Sequence, residues 1–348
     1  MTPNPQLAEK LRAAKASAAV TANDLFFAAH PDWLERYGER GRQLGLEDAM
    51  FHIDFLASAA QAGDPRLFYE YGRWVAGMLA SRGIAPALVE ENFRQIEQAF
   101  TAHLTEVEQR QAHLVVRAGR EGCAAPPVEH TLEDQIRSGL HYIRQIFTKA
   151  ILEGDRASAH QAAMKGLRSG ASIPDLYVDV FQEALYEVGR SWASNRITVA
   201  EEHRATAIVQ FVLARIYPLI QSSTGRRGPA VITGVQHELH QVGANMIADV
   251  LESDGWDVQF LGTNMPHEGI LKAIEEHQAA LLGISATMLY NVPYVERLIR
   301  DVRHRFGAQG PRIVVGGGAF RSSQDLYRQV DADLFAPDVR SALDIVRN

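Results

Sequence analysis

The sequence predicts a multidomain chain: an all-α N-terminal domain over 1–122, a four-helix bundle over 129–224, and an α/β Rossmann-like (flavodoxin-like) domain over 228–348. Three observations predict it. Apolar residues in the first two parts recur near i, i+3, i+4 and i+7, the period of helices with one buried face. From Pro229 onward, short apolar runs alternate with helical stretches, as in a parallel sheet with right-handed crossovers. The 348 residues, 46% of them hydrophobic, supply two or three cores at about 100–200 residues per domain.

In the first part, Asn23-Asp24 is placed to cap a helix beginning at Leu25. Leu46–Ala60 has helical apolar spacing, and Gly63-Asp64-Pro65 breaks the chain. Arg66–Ser81 carries Leu67, Tyr71, Trp74, Val75, Met78 and Leu79 as a stripe. Arg82–Pro86 is a second break, and Ala87–Gln111 reads as one long helix. Nothing here alternates like a strand. Gly119–Val128 (GREGCAAPPV) reads as the linker, because its two glycines and two prolines punctuate ten residues.

The second part runs from Thr131 to about Ser222. Breaks near Gly154-Asp155, Gly170–Pro174 and Ser194–Thr198 divide it into four helices, enough for a bundle. In the third part, Pro229–Gly234, Asp257–Leu261, Ala280–Ser285 and Arg312–Gly316 read as strands. Val242–Ser253, Glu268–His277 and Pro293–Phe306 read as the helices between them, and Asp333–Val346 closes with a short strand and a helix.

A net charge of −7 gives no basic stripe for direct nucleic-acid binding. No apolar run approaches the ~18 residues of a membrane span, and the N-terminus has no apolar signal core. The expectation is a cytoplasmic protein without a membrane partner. Cys123, the single cysteine, excludes an internal disulfide. No catalytic base, nucleophile or phosphate loop stands out, so the chain reads as a non-enzyme.

In open parallel sheets, ligands sit beyond the carboxyl ends of the strands. After the first strand comes His237-Glu238-Leu239-His240-Gln241-Val242-Gly243, after the third Ser285-Ala286-Thr287, and after the fourth Gly316-Gly317-Gly318. Small residues at these ends leave a slot that a large ligand can approach closely. A carboxylate two residues before a histidine can orient the imidazole as a metal ligand and raise its basicity. Chance histidines on a flavodoxin-like domain are the bland alternative.

Glu238-Leu239-His240-Gln241-Val242-Gly243, Ser285-Ala286-Thr287 and Gly316-Gly317 resemble the Asp-x-His-x-x-Gly, Ser-x-Thr and Gly-Gly signature of the cobalamin-binding domains of methionine synthase and methylmalonyl-CoA mutase. The resemblance covers 228–348. It implies that His240 is the lower ligand of cobalt, with Glu238 as its hydrogen-bonding partner. It implies cofactor contacts from Leu239, Gln241, Val242 and Gly243, a tail pocket lined by Ser285 and Thr287, and room for the tail at Gly316 and Gly317. Glu238 departs from the usual aspartate: the charge is kept, and one extra methylene alters the hydrogen-bond path. His237, off the ligand position, reads as solvent-facing.

Within the bundle, Trp192 is followed after nine residues by Glu202-His203. This looks like the motif of the adenosylcobalamin photoreceptors, the light-sensing repressors of carotenoid synthesis. The resemblance implies that Trp192 shields the adenosyl group and that Glu202 and His203 lie beside it. The plain alternative is a core tryptophan and a solvated helix start. Those repressors have a histidine directly after the tryptophan; Ala193 stands here, so that route to a bis-histidine light state is closed.

The N-terminal part is rich in aromatics: Phe26, Phe27, Trp33, Tyr37, Phe51, Phe55, Phe68, Tyr69, Tyr71 and Trp74. Its architecture, ahead of a cobalamin unit, resembles the globin-like domain of photocobilins. That resemblance implies a non-covalently held biliverdin, a linear tetrapyrrole, for which His52, Tyr71, Arg73 and Arg82 are available residue types. The expected function is therefore a light sensor using adenosylcobalamin, with a light-dependent homo-oligomer and an unidentified downstream protein as outlets. The alternatives are a corrinoid methyl-carrier protein of a methyltransferase system, which would use the same lower-ligand histidine, and an adapter with vestigial motifs.

Overall fold

The computed structural model describes residues 2–126, 140–220, 227–321, 323 and 325–347. The chain divides into two compact units, Met1–Glu129 and His130–Asn348.

The described part of the first unit is helical: α1 (Pro5–Ala13), α2 (Lys15–Ala29), α3 (Pro31–Ala62), α4 (Pro65–Ala80), α5 (Pro86–Ala99) and α6 (Glu106–Cys123). Proline opens α1, α3, α4 and α5, where its missing N–H costs nothing. Gly63, in the left-handed region at φ 66°, ends α3, and Asp64 then caps α4. Phe68, Phe93 and Phe100 are fully buried at the centre.

Three expectations for this unit fail, each for a packing reason. Asn23-Asp24 starts no helix, because α2 runs through it; Asn23 is buried and donates to the Arg42 carbonyl at 3.1 Å. Ala87–Gln111 is not one helix. It ends at Ala99, passes through a tight turn over Phe100–Ala102 with the Phe100 ring buried, and restarts behind Thr105, where a reciprocal capping box with Glu108 satisfies the first turn. Gly119–Val128 does not begin a linker: α6 continues to Cys123, and residues 127 and 128 lie outside the described residues. A Cβ on Gly72 would stand 2.1 Å from the Gly119 carbonyl oxygen, and one on Gly122 2.1 Å from that of Tyr69. These glycines let α4 and α6 touch backbone to backbone. Cys123 is consequently buried, and burial pushes its thiol up to about 12.

The second unit opens with α7 (His141–Glu153) and α8 (Arg156–Arg168). A continuous helix follows, made of α9 (Ile173–Leu176), a wide π-turn over Tyr177–Gln182, and α10 (Glu183–Ala193); α11 (Val199–Ile216) completes the bundle. The predicted helical stretch 131–139 lies outside the described residues.

The α/β region follows with β1 (Gly228–Gly234), α12 (Val242–Ser253), β2 (Trp256–Phe260), α13 (His267–His277), β3 (Leu281–Ser285), α14 (Val292–Phe306) and β4 (Arg312–Gly316). Two short helices that the periodicity did not give, α15 (Gly318–Arg321) and α16 (Leu326–Gln329), precede β5 (Leu334–Ala336) and α17 (Val339–Arg347). The sheet is parallel in the order β2-β1-β3-β4-β5. This is a doubly wound order that reverses direction between β1 and β3, the position at which open parallel sheets bind ligands.

The bundle and the α/β region share one hydrophobic core. Val242, Met246 and Val250 of α12 and Val339 of α17 pack with Phe147, Tyr177, Phe181 and Ile208 of the bundle. Tyr177 donates to Asp249 of α12 at 2.7 Å, Tyr217 to Glu252 at 2.7 Å, and Arg340 of α17 reaches Asp175 at 2.9 Å and Asp179 at 2.6 Å.

Candidate functional site

Strand register brings the predicted loops together. Gly234 at the end of β1 pairs with Ser285 at the end of β3, and Ser285 pairs with Gly316 at the end of β4. The loop carrying His240 leaves from the first of these ends, beside the reversal point.

Glu238 is fully buried there. Its Oε1 accepts from the His240 backbone N at 2.8 Å and lies 2.6 Å from His240 Nδ1. Its Oε2 accepts from the Thr287 backbone N at 2.6 Å and from Asn291 Nδ2 at 3.0 Å. Gly234 makes room for it: a Cβ there would lie 3.2 Å from Glu238 Cγ and 2.6 Å from Thr263 Cγ2. Burial pushes the Glu238 carboxyl up, but the His240 hydrogen bond and charge, with the backbone N–H of Thr287 and of His240, bring it below its ordinary value. His240 moves up: the Glu238 hydrogen bond outweighs burial, and the charges of Glu238 and Glu202 add to it.

The His240 side chain is 56% exposed. With Nδ1–H held by the carboxylate, the lone pair for a metal is on Nε2, the tautomer of a metal-bound imidazole oriented by a carboxylate. Leu239 beside it is 73% exposed, an apolar tip that a flat ligand would cover. Among the described residues no three His, Cys, Asp or Glu side chains converge on a bare-ion site. A single imidazole suits a metal whose equatorial positions a macrocycle already fills, so these residues fit a corrinoid.

The remaining predicted positions divide. Gln241 is exposed just before α12, and Gly243 faces open space, with nothing within 4 Å of where its Cβ would be. Val242 instead turns into the core shared with the bundle. Thr287 meets Glu238 through its backbone N–H. Gly316 and Gly317 abut neighbouring backbone: added Cβ atoms would lie 2.8 Å from the Ala336 oxygen and 2.3 Å from the Ala286 oxygen, and Gly317 has φ 97°. They let the strand-end loops close on one another rather than holding open space. His237 is exposed, at φ 69°, with its backbone N donating to Asn264 Oδ1 at 2.8 Å.

Trp192 sits half-buried near the end of α10. Glu202 and His203 follow at the start of α11, behind the Thr198–Glu201 capping box. His203 is exposed and lies 3.3 Å from Glu202, which also accepts from Thr206 at 3.2 Å. Among the causes that move His240 up, the charge of Glu202 is the one that comes from the bundle.

Asn291 was missed. It directly precedes Val292-Pro293, so in the sequence it passes for an ordinary helix cap; folded, it is fully buried, with Nδ2 on Glu238 and Oδ1 without a hydrogen-bond partner.

In the first unit the four bilin candidates do not converge. His52 and Tyr71 share a buried 2.6 Å hydrogen bond, with Phe55 stacked on Tyr71 at 3.7 Å. Burial lowers His52 to about 3, leaving it neutral. Arg73 bonds the Pro126 carbonyl, and Arg82 that of Met78. A recess of about 60 Å³, lined by Leu56, Phe100, Leu104, Ala112 and Val116 among others, contains none of the four.

Comparison with known proteins places this site. Residues 228–346 match the family described as B12 binding domain, and residues 143–217 match a second family of the same description. The chain is 22% identical over 201 residues to a corrinoid protein of Desulfitobacterium hafniense (strain Y51), covering 57% of this chain and 92% of that one. It is 28% identical over 168 residues to the HTH-type transcriptional repressor CarH of Myxococcus xanthus, covering 47% of this chain and 55% of CarH, about half its length. The solved monomethylamine corrinoid protein of Methanosarcina barkeri shares the fold, with a TM-score of 0.53 at 17% identity over 59% of this chain and 96% of that one. No helix among the described residues is long and apolar enough to cross a membrane. The bundle and the α/β region of this chain are B12-binding domains, and its cofactor is a corrinoid.

Proposed function

We propose that the protein is a light sensor rather than an enzyme, binding adenosylcobalamin with His240 as the lower cobalt ligand. When bound, that cofactor supplies a light-labile cobalt–carbon bond. Glu238 holds the imidazole in the coordinating tautomer, Leu239 covers the corrin edge, and Trp192 excludes water from the upper face as an apolar lid. Glu202 and His203 offer polar partners to the adenosyl group. One observation carries this reading: Trp192-x9-Glu202-His203 stands on α10 and α11 of the bundle whose core packs on α12, the helix that follows the His240 loop. Ser285 lines the tail pocket. The protein would work in the cytoplasm as a homo-oligomer, passing the signal to a protein partner.

The test is the absorption spectrum of purified protein with adenosylcobalamin, in the dark and after illumination. A histidine-on dark spectrum that light converts is expected; a photostable spectrum, or no binding, overturns the reading.

A methyl-carrier role is the second reading. It is favoured by corrinoid relatives matched along 90–92% of their length, among them a trimethylamine corrinoid protein of Methanosarcina mazei. A chain that binds methylcobalamin and adenosylcobalamin equally supports the carrier.

We further propose that the first unit holds biliverdin non-covalently. Its aromatic interior supports this, and the buried rings around the His52–Tyr71 hydrogen bond must part to admit a bilin. Co-expression with a haem oxygenase should give a red absorption band; colourless protein overturns it.

A further inference from the structure

Three polar bridges tie the bundle to the outer helices of the α/β region: Tyr177 to Asp249, Tyr217 to Glu252, and Arg340 to Asp175 and Asp179. Another contact comes from the strand-end side, which carries the His240 loop. The Arg321 guanidinium stands 5.0 Å from the centroid of the Tyr186 ring. Arg321 ends α15, five residues beyond Gly316, and Tyr186 lies on α10, the helix that carries Trp192.

Both ends of this contact are firmly based. Phe320, next to Arg321, is buried. The Ala319 N–H donates to the Ala286 carbonyl at 3.2 Å, and Gly318 lies against the Thr287 carbonyl, where a Cβ would come within 2.9 Å. The arginine therefore projects from a short helix packed against the loop that supplies the Thr287 N–H to Glu238. On the other side, Ala184 and Val188 fix α10 in the bundle core. Burial pushes the Tyr186 phenol up, and the charge and hydrogen bond of Arg321 pull against that.

We propose that Arg321 and Tyr186 form a clasp between the strand-end loops and α10, which holds the bundle closed over a bound corrin. This rests on reading the bundle as the upper-face cover. Arg321 acts as a positioning residue: it touches the cover, and its backbone belongs to the layer that holds His240. A planar guanidinium stacks on an aromatic face in a way that lysine does not reproduce. A partly exposed contact of this kind shifts an open–closed equilibrium by about threefold to tenfold.

The test is amide hydrogen exchange in α10 and α11 of the full chain loaded with hydroxocobalamin, in wild type, Arg321→Ala, Tyr186→Leu and Tyr186→Phe. Arg321→Ala and Tyr186→Leu should each speed exchange about threefold to tenfold while leaving the histidine-on spectrum unchanged. Tyr186→Phe keeps the ring face but loses the hydroxyl that Arg321 also acts on, and should fall between wild type and Tyr186→Leu. The double variant Arg321→Ala/Tyr186→Leu should exchange no faster than either single one, because both remove the same contact. Unchanged exchange in the single variants, or additive effects in the double, overturns the clasp. If cobalamin fails to slow exchange in wild type, the cover reading itself fails, and that outcome is distinct from protected wild type with silent variants.

Discussion

Glu238 meets four N–H donors with two oxygens, and that division controls the orientation of His240. The extra methylene relative to aspartate lets one oxygen serve the His240 loop while the other reaches the β3 end. Glu238→Gln removes the charge and turns an NH2 group toward one pair of donors. Cobalamin affinity should fall about 10- to 100-fold, with the histidine-on band weakened, in a titration followed by absorbance; His240→Ala should abolish that band. Asn291→Leu withdraws one donor and should weaken binding about tenfold, the scale of one hydrogen bond to a charged group. Unaltered affinity in both Glu238→Gln and Asn291→Leu would separate this network from the cofactor. The Glu238–His240 pair was legible because its members are two residues apart after a recognisable strand. Asn291, 53 positions away from Glu238, becomes its partner only once β1 and β3 lie side by side.

At the scale of elements, the same residue type carried two opposite meanings. Gly119 and Gly122 look like chain breakers beside Pro126-Pro127, yet they lie in α6 at i, i+3 with Val115 and Val116, on a face pressed against α4. Gly122→Ala would drive a methyl into the Tyr69 carbonyl and should destabilise the first unit by about 1–3 kcal/mol, the usual cost of overpacking, read as a lower thermal midpoint. The bundle–α12 seam makes a pH-dependent prediction. Burial raises Asp249 from the ordinary 3.8 to about 6, with the Tyr177 hydrogen bond opposing it. The folded state then binds the proton more tightly than the unfolded chain. Stability from this group is complete below about pH 4 and is lost as pH rises through about 6. Asp249→Asn keeps an acceptor for Tyr177 and has no charge to desolvate. It should stabilise the second unit by about 2 kcal/mol at pH 7 and by little at pH 4, in denaturant titrations at the two pH values. An equal effect at both would place the Asp249 charge in water. The helix and strand spans of this unit were legible from period and glycine stops. The shared core was not, because Val242 and Met246 look like any apolar stripe until the bundle is laid against them.

For the whole molecule, the proposed light-sensor role requires that the signal leave through the bundle. Trp192, Glu202 and the clasp at Tyr186 all belong to α10 and α11, whose other faces pack with α7, α8 and α12. The adenosyl group would fill space against the first two, and a ligand shifts an equilibrium only through contacts that differ between its states. On that proposal, its loss in light would remove those contacts on one side of the bundle while the Asp249 and Arg340 bridges persist on the other. The bundle should therefore tilt about those bridges rather than detach, and a shifted helical layer repacks whatever subunit interface it borders. Ala193 offers no imidazole to lock the light state from that position, so the shifted state should relax when adenosylcobalamin is resupplied in the dark. The expected result is a change in oligomeric mass between dark and illuminated adenosylcobalamin protein, reversible on resupply, and none with hydroxocobalamin, by size-exclusion chromatography with light scattering. Equal masses before and after complete photolysis would confine the light response to the cofactor site and remove self-association as the route by which the bundle speaks to a partner.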